Sequence, residues 1–385
     1  MILSILINHF RSCKEVLIEN MGGMVALVGR NGAGKTNILK AIEWAAHIGA
    51  GKRSLETERL HRPGSVILRI QIDQQIFRYS VERRHDGQKS VNGLRNISYS
   101  KYLTESLFLE SATGERTRIF ECTNGVLLVG DGTSKASIGP LTPASQSIIS
   151  LFPKHAITPL VKQFMEYIES IRYYPIEETE EIEEEQKMDF ISHDDYLDWV
   201  NTPSVPINSN RRIIFKLLDL FLNRTEDFRD LENLLGVYGL GVLYQISVYP
   251  FDLPGESIQS NNPPNTRKYY SLQFVPNGIP SGCDNEFSSL SFGTKRMVWL
   301  ITSIIYDKAS VSMIEQPEDG IHTGLLQKLI PLLRSYSNPR QFIITSHSTE
   351  VMNRLKPDEV RLVSLVEGSS EVRALSSREL ETAAN

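Results

Sequence analysis

The sequence predicts a mixed α/β fold that is built around a phosphate-binding loop, and three observations support this prediction. Residues 29–36 read Gly-Arg-Asn-Gly-Ala-Gly-Lys-Thr, which fits the pattern G-x-x-x-x-G-K-[ST]. The apolar run Met24–Val28 before this loop is of strand type, and Asn37–Ala46 after it has helical periodicity. Strand-like and helix-like segments alternate again toward the end of the chain.

The chemistry of the loop points to a nucleoside triphosphate. Glycines let backbone N–H groups converge on phosphate oxygens, and the start of the next helix adds a positive dipole. In such a loop the lysine reaches the β- and γ-phosphates, and the hydroxyl of the last residue holds Mg²⁺. The predicted nucleotide-binding residues here are Arg30, Asn31, Gly32, Ala33, Gly34, Lys35, Thr36 and Asn37.

Other strands and helices follow from periodicity. Strand-like runs precede and follow the loop, helical patterning occupies two central segments, and turn residues separate them. The predicted strands are 2–8, 15–19, 24–28, 66–72, 75–81, 97–103, 119–129, 242–249 and 269–275, and the predicted helical segments are 144–172 and 211–235.

Composition and cysteine spacing narrow the class of protein. Cys13, Cys122 and Cys283 lie far apart without a Cys-x-x-Cys pair, which argues against a disulfide framework or a zinc knuckle. The apolar stretch 1–7 is too short and lacks the basic flank of a secretory signal, and no apolar run reaches membrane-span length. We therefore expect a cytoplasmic protein with no membrane partner.

One acidic strip, residues 177–198, dominates the net charge of −5. It holds eleven acids and one base, so the remaining residues carry a net charge of +5. A solvated helix face or linker explains such a strip, and a docking surface for a basic partner is the alternative. The mild excess of basic residues elsewhere is weak support for contact with nucleic acid.

Three further motifs lie far beyond the loop. Residues 289–296 read Ser-Leu-Ser-Phe-Gly-Thr-Lys-Arg and precede an apolar helix. In residues 311–322, Glu315 and Gln316 follow an apolar strand, and residues 341–348 end in Thr-Ser-His-Ser. In this order the four motifs resemble the ABC-type ATPase heads of the SMC and RecF kind. Within that class they are most similar to compact OLD-type ATPases of bacteria and their phage-defence relatives.

The resemblance implies a P-loop NTPase with a two-lobed head and a mainly helical insertion. It covers residues 1–50 and 285–365 well and the middle only loosely. The expected domains are 1–145 for lobe I, 146–285 for the insertion and 286–385 for lobe II. OLD-type relatives carry a TOPRIM nuclease after the ATPase, and we expect none before Asn385, so a nuclease or toxin effector would be a separate protein.

The resemblance also implies a homodimer with two shared ATP molecules. Ser291 and Gly293 open a helix, and in the family this signature closes over the ATP that the second subunit holds. A plain helix N-cap is the alternative role for Ser291. Family members contact the nucleotide near Arg11 and Ser12, and a lobe-junction glutamine, matched here by Gln146, binds Mg²⁺ and water. Residues Asp319 to His322 match the dimer-contact loop.

The catalytic positions contain one departure from the family pattern. Glu315 matches the acid that holds the Mg²⁺ shell, and His347 matches the switch histidine at the γ-phosphate. Gln316 occupies the place of the glutamate that activates water, and an amide cannot accept a proton. Either the protein is a slow ATP-holding switch, or Glu318 or Glu315 supplies the base, or a Glu-to-Gln replacement was introduced to trap the ATP-bound dimer.

These features leave three functional hypotheses open. The first is an ATPase that dimerises around ATP and regulates a separate nuclease or toxin in prokaryotic antiphage defence. Because Gln316 replaces the usual glutamate, an ATP-bound scaffold with very slow turnover is an alternative form of this hypothesis. The second is an SMC- or RecF-like ATPase of DNA repair that binds DNA directly. The third, a transporter motor, is disfavoured by the long span between residues 37 and 289. Candidate DNA contacts are Lys52, Arg53, Arg59, Arg62, Arg83, Arg84 and Arg95.

Overall fold

The computed structural model shows a mixed α/β fold with two extended sheets. It describes residues 1–52, 64–85, 89–91, 94–96, 99–111, 113–123, 126–130, 134–137, 147–151, 158–175, 190–202, 209–254, 266–278, 285–376 and 379. The strands in chain order are β1 (Ile2–Phe10), β2 (Cys13–Ile18), β3 (Met24–Val28), β4 (Gly64–Ile72), β5 (Gln75–His85), β6 (Lys89–Val91), β7 (Leu94–Asn96), β8 (Tyr99–Glu110), β9 (Arg116–Thr123), β10 (Val126–Val129), β11 (Ser134–Ser137), β12 (Arg172–Tyr174), β13 (Ile191–Ser192), β14 (Leu243–Pro254), β15 (Thr266–Pro276), β16 (Val311–Glu315), β17 (Gln341–Ser346), β18 (Val360–Val366) and β19 (Ser369–Ala374).

The helices of the described residues are mostly short and amphipathic. They are α1 (Lys35–Gly49), α2 (Pro159–Glu169), α3 (His193–Asn201), α4 (Ser209–Asn223), α5 (Thr225–Leu235), α6 (Phe292–Asp307), α7 (Thr323–Ser335) and α8 (Thr349–Met352). Among them, no helix has the length and apolar character that a bilayer crossing requires.

The chain forms two compact units. The first contains Met1–Tyr173, Ala309–Pro317 and Ile330–Asn385, and the second contains Tyr174–Lys308 and Glu318–Leu329. The domain boundaries predicted from sequence stay a prediction.

In the first unit, an antiparallel sheet has the order β11-β10-β9-β8-β5-β4-β1-β2. Its strands alternate buried and more exposed residues, as in β4, because one face packs on α1 and α2. Aromatic side chains fill this layer, with the Phe10 and Trp44 rings 5.8 Å apart and the Tyr79 and Phe164 rings 5.0 Å apart.

A second sheet has the order β12-β16-β17-β3-β18-β19, and its central strands β16, β17, β3 and β18 run parallel. Every residue of β3, β16 and β17 is buried, as expected for a covered parallel sheet. The fully buried Gln341 amide ties this sheet to β1. Its Oε1 accepts from Ile2 N at 2.8 Å, and its Nε2 donates to Ile2 O at 2.9 Å.

The second unit combines the three-stranded sheet β13-β15-β14 with α3 to α6. Helices α4 and α5 pack against α6, whose residues from Arg296 to Ile305 are all buried. The Trp199 and Phe215 rings stack at 5.5 Å within this layer. Asp194 and Asp195 occupy the first turn of α3, where their negative charges interact favourably with the helix dipole. The acidic residues between 177 and 189 of the strip lie outside the described residues.

Most sequence-predicted elements are present, with three corrections. Within the predicted helical segment 144–172, the described residues form a 3₁₀ turn at Ile149–Leu151 and the helix α2, and Arg172 already belongs to β12. The run 119–129 is not one strand: β9 and β10 form a hairpin, with Val126 opposite Thr123, and Asn-Gly at 124–125 is a favoured hairpin pair. The helical segment 211–235 is two helices, because Arg224 has non-helical angles (φ −134°, ψ 57°). Glu226 and Asp227 then stabilise a new helix start.

A buried carboxyl group lies between the antiparallel sheet and the segment after residue 146. Glu105 is fully buried and accepts hydrogen bonds from Tyr79 OH at 2.9 Å, Ser147 Oγ at 3.1 Å and Ile148 N at 2.7 Å. Burial raises the pKa of Glu105 to about 7, although the bonds from Ile148, Tyr79 and Ser147 act to lower it.

Glu105 therefore makes stability depend on pH. Between pH 4.5 and about 7 the folded protein keeps a proton that the unfolded chain has lost, so rising pH destabilises the fold. We expect the wild-type free energy of unfolding to fall by about 3 kcal/mol across this window through this group. Urea titrations at pH 5, 6 and 7 should show a flatter dependence in Glu105→Gln. The exposed control Glu115→Gln should keep the wild-type slope, and equal slopes in all three proteins would contradict this role.

Candidate functional site

The site begins with three parallel strands that end at the same edge of the sheet. Glu315, at the end of β16, is paired with Thr345 of β17, and Ser346 of β17 is paired with Val28 of β3. Gly29 N donates to Ser346 O at 3.1 Å, which extends the pairing into the phosphate loop. The phosphate loop, Gln316 and His347 each follow one of these strands, so all three leave the sheet at its carboxyl edge.

The loop has the backbone geometry that its glycines allow. Gly32 and Gly34 have φ values of 78° and 98°, in the region that residues with a Cβ rarely adopt. Lys35 is 5% exposed, and its Nζ donates to Gly29 O at 2.7 Å and Arg30 O at 2.9 Å. The ammonium group thus lies over the loop, close to where phosphate oxygens would enter. Arg30, Asn31 and Gly32 are exposed beside it, and Ala33 is buried.

A chain of hydroxyl and amide groups supports the loop from behind. Ser370 Oγ, on β19, donates to Ala33 O at 2.9 Å and lies 2.7 Å from Ser12 Oγ. Asn37 Nδ2 donates to Ser12 Oγ at 2.7 Å, and Arg11 Nη1 donates to Asn37 Oδ1 at 3.3 Å. Arg11 is exposed at the end of this chain, and its φ of 53° turns the backbone between β1 and β2.

Two of the three predicted metal ligands, Thr36 and Glu315, contact each other directly. The Thr36 hydroxyl donates to Glu315 Oε1, and the Tyr173 hydroxyl donates to Glu315 Oε2 at 2.5 Å. Glu315 is 8% exposed. A hydroxyl and a carboxylate are the hard oxygen donors that Mg²⁺ takes in nucleotide sites, where phosphates and water complete the octahedron. The described residues contain no group of three or more His, Cys, Asp or Glu that could hold a metal without such a ligand.

Gln316 has a strained backbone. Its φ of 42° lies in the left-handed region, which costs a residue with a Cβ about 1 kcal/mol. Its backbone N–H donates to two oxygens of Thr345, the carbonyl O at 3.1 Å and the side-chain Oγ1 at 3.2 Å. Strain of this kind persists where the surroundings over-determine a conformation. The half-buried amide can orient a water molecule but cannot accept its proton.

His347 is exposed directly after β17. Ser346 Oγ accepts from Ser348 N at 3.0 Å, and Ser348 caps α8, so the histidine lies in a defined turn between strand and helix.

The signature residues belong to the second unit. Ser291 is the N-cap of α6: its Oγ accepts from Thr294 N at 3.3 Å and donates to Thr294 Oγ1 at 2.9 Å. Ser291 is also exposed, so the N-cap role leaves it accessible. A Cβ on Gly293 would lie 2.8 Å from Gly320 O, so the start of α6 packs tightly on the predicted dimer-contact loop. Asp319 of that loop lies 3.8 Å from Arg296.

The structure pairs four of the sequence-predicted residues, Arg11 with Asn37 and Thr36 with Glu315, and it places Lys35 against the loop carbonyls. It also adds two residues that carried no motif, Ser370 and Tyr173. Gln146 lies outside the described residues. The hydroxyl residues that flank glycine loops from distant strands have no sequence signal, since their spacing depends on the fold.

Removal of the Ser370 hydroxyl should weaken the phosphate loop. Ser370→Ala leaves the Ala33 carbonyl short of a donor in a fully buried position, which costs about 1 kcal/mol in the free energy of unfolding. We also expect a severalfold weaker affinity for ATP, measured by calorimetry. Ser369→Ala on the same strand is the matched control. Unchanged stability and affinity in Ser370→Ala would show that the hydroxyl does not support the loop.

Comparisons with known families agree with this geometry. A family model described as "AAA domain, putative AbiEii toxin, Type IV TA system" matches residues 145–353, and one described as "AAA domain" matches residues 4–236. Each range covers more than half of the chain, and together they include the phosphate loop and Glu315. A comparison with curated proteins finds no match.

Solved SMC heads are similar in structure. A crystal structure of the SmcHead bound to the C-winged helix domain of ScpA is 16% identical, with a TM-score of 0.52 and coverage of 99% of both chains. The SMC head domain from Thermotoga maritima is 15% identical, with a TM-score of 0.44 and coverage of 97% of this chain and 99% of that one. The chain has the P-loop NTPase fold of an SMC-type head, and it belongs to the AAA domain family of ATPases.

Proposed function

We propose that this protein binds and hydrolyses ATP with Mg²⁺, dimerises around the nucleotide, and regulates a separate nuclease or toxin in prokaryotic antiphage defence. The contact of Thr36 with Glu315 beside Lys35 carries the proposal, because it joins the phosphate loop to an acidic metal ligand. Lys35 binds the β- and γ-phosphates, Thr36 and Glu315 hold the metal, and His347 contacts the γ-phosphate. Gln146 is a further proposed metal ligand.

Assembly and location complete the proposal. Residues 1–145 and 286–385 serve as the two lobes, and residues 146–285 carry partner specificity. Ser291 and Gly293 of one subunit close over the ATP of the other, and the protein acts in the cytoplasm. The defence role is supported by the matched family description, which names a toxin and a toxin–antitoxin system. The SMC head that shares the fold binds a winged-helix domain of another protein.

The residue at the position of the general base sets the rate. Gln316 positions water without taking its proton, and loss of a general base costs about 10²–10⁴ in rate. We therefore expect slow ATP turnover, which favours the alternative of an ATP-bound scaffold, and a rise of about 100-fold or more in Gln316→Glu. Steady-state phosphate release at saturating Mg·ATP measures both rates.

The control Gln316→Ala keeps the strained position but offers neither amide nor carboxylate, and it should not exceed the wild type. Equal rates for wild type and Gln316→Glu would place the base elsewhere, with Glu318 or Glu315 the remaining candidates.

Nucleotide-driven dimerisation has a direct test. ATP should shift the protein from monomer to dimer in analytical ultracentrifugation, and ADP should not, because only ATP offers a γ-phosphate to Ser291 of the partner subunit. Ser291→Arg places bulk and charge at this exposed position and should leave ATP-bound protein monomeric. Ser288→Arg, also exposed and shortly before the signature, is the matched control. Identical sedimentation with ATP and ADP would exclude the shared-nucleotide dimer.

An SMC- or RecF-like DNA-repair ATPase is the second candidate, favoured by the fold likeness to SMC heads. Of its proposed DNA contacts, Arg83 is buried, at 7% exposed, and Lys52 forms a surface ion pair with Glu169, with Nζ 2.9 Å from Oε1. The side chains of Arg53, Arg59, Arg62, Arg84 and Arg95 lie outside the described residues. DNA affinity that falls steeply with salt would support this candidate over the first.

A further inference from the structure

The Glu315 carboxylate is held at both of its oxygens. Thr36 of the phosphate loop donates to Oε1, and Tyr173 donates to Oε2 at 2.5 Å. These two hydroxyls differ in whether they keep their bond to Glu315 when a nucleotide binds. The Thr36 hydroxyl has to turn its oxygen toward Mg²⁺, whereas Tyr173 belongs to no nucleotide motif and keeps its donor for Glu315.

The fold fixes Tyr173 beside Glu315. Strand β12, which contains Tyr173, lies next to β16, which ends in Glu315. Hydrogen bonds also join the residues that precede the two strands. Ser170 Oγ donates to Ser310 Oγ at 2.6 Å, and Ser310 Oγ donates to Tyr167 O at 3.2 Å. The Tyr173 ring itself packs against the hydrophobic core. The position of its hydroxyl is therefore fixed by a packed ring on a strand that lies beside β16.

A carboxylate that binds metal through one oxygen can rotate about its terminal bond unless the other oxygen is held. Outer hydrogen-bond partners of metal ligands fix this orientation, and their loss typically costs 10–100-fold in metal affinity or activity. Tyr173 meets this requirement from β12, a strand that is not part of the phosphate loop.

We propose that Tyr173 is a positioning residue that orients Glu315 for the divalent cation of the bound nucleotide. This inference rests on the proposed ATPase function. It separates metal affinity from nucleotide affinity, because the Tyr173 hydroxyl donates to the proposed metal ligand Glu315. Loss of its hydroxyl weakens the metal and leaves the phosphate loop unchanged.

The test measures Mn²⁺ binding in the presence of the non-hydrolysable analogue AMP-PNP, by electron paramagnetic resonance of free Mn²⁺. Tyr173→Phe keeps the packed ring and removes only the hydroxyl. We expect its dissociation constant for Mn²⁺ to rise about tenfold. Its affinity for AMP-PNP in EDTA, measured by calorimetry, should equal that of the wild type.

Tyr174→Phe is the matched control. It removes a hydroxyl from the next residue of the same strand, where the partner is Asp307 Oδ2 at 3.0 Å, and it should bind Mn²⁺ as the wild type does. Thermal melting of each variant checks folding.

The outcomes separate the two claims. If Tyr173→Phe binds Mn²⁺ as tightly as the wild type, or if Tyr174→Phe loses as much affinity, the positioning role is wrong while the ATPase proposal stands. If wild-type protein binds AMP-PNP neither with Mn²⁺ nor in EDTA, the ATPase proposal fails and the positioning role fails with it.

Discussion

In-register pairing of three buried parallel strands is the constraint on which the nucleotide site depends. Glu315 is paired with Thr345, and Ser346 with Val28, so the chain leaves the sheet at one edge after each strand. A shift of register would separate Glu315 from Thr36, because neighbouring positions along a strand face opposite sides. The fully buried residues of β3, β16 and β17 serve this pairing, since burial on both faces secures the strands that carry the polar ends.

The polar groups at that edge divide into those of the phosphate loop and those that hold other groups in place. Lys35 and Thr36 belong to the loop, Ser370 of β19 donates to Ala33 of the loop, and Tyr173 of β12 donates to Glu315. This arrangement places rigid strands behind a loop rich in glycine, which has little conformational preference of its own. The strained backbone of Gln316 fits the same pattern, because its N–H is anchored to Thr345 of the neighbouring strand.

The loop, β3 and α1 could be predicted from sequence, because a contiguous motif specifies its own local geometry. Glu315 and His347 could be placed by motif order, although their contacts could not. Tyr173 and Ser370 were missed because their roles arise from strand order in a sheet, which periodicity does not encode. The break at Arg224 was missed for a related reason: the apolar pattern continues through it, and local charges at Glu226 and Asp227 favour the new helix start.

The central claim is that Thr36 and Glu315 together form the metal position of an ATP site. A double-mutant cycle on the Mg²⁺-dependent gain in ATP affinity tests it most directly, with calorimetry on wild type, Thr36→Val, Glu315→Gln and the double variant. The account predicts that Mg²⁺ tightens ATP binding in the wild type, that either single change removes most of this gain, and that the double change removes no more. Additive losses, or a wild type indifferent to Mg²⁺, would contradict it.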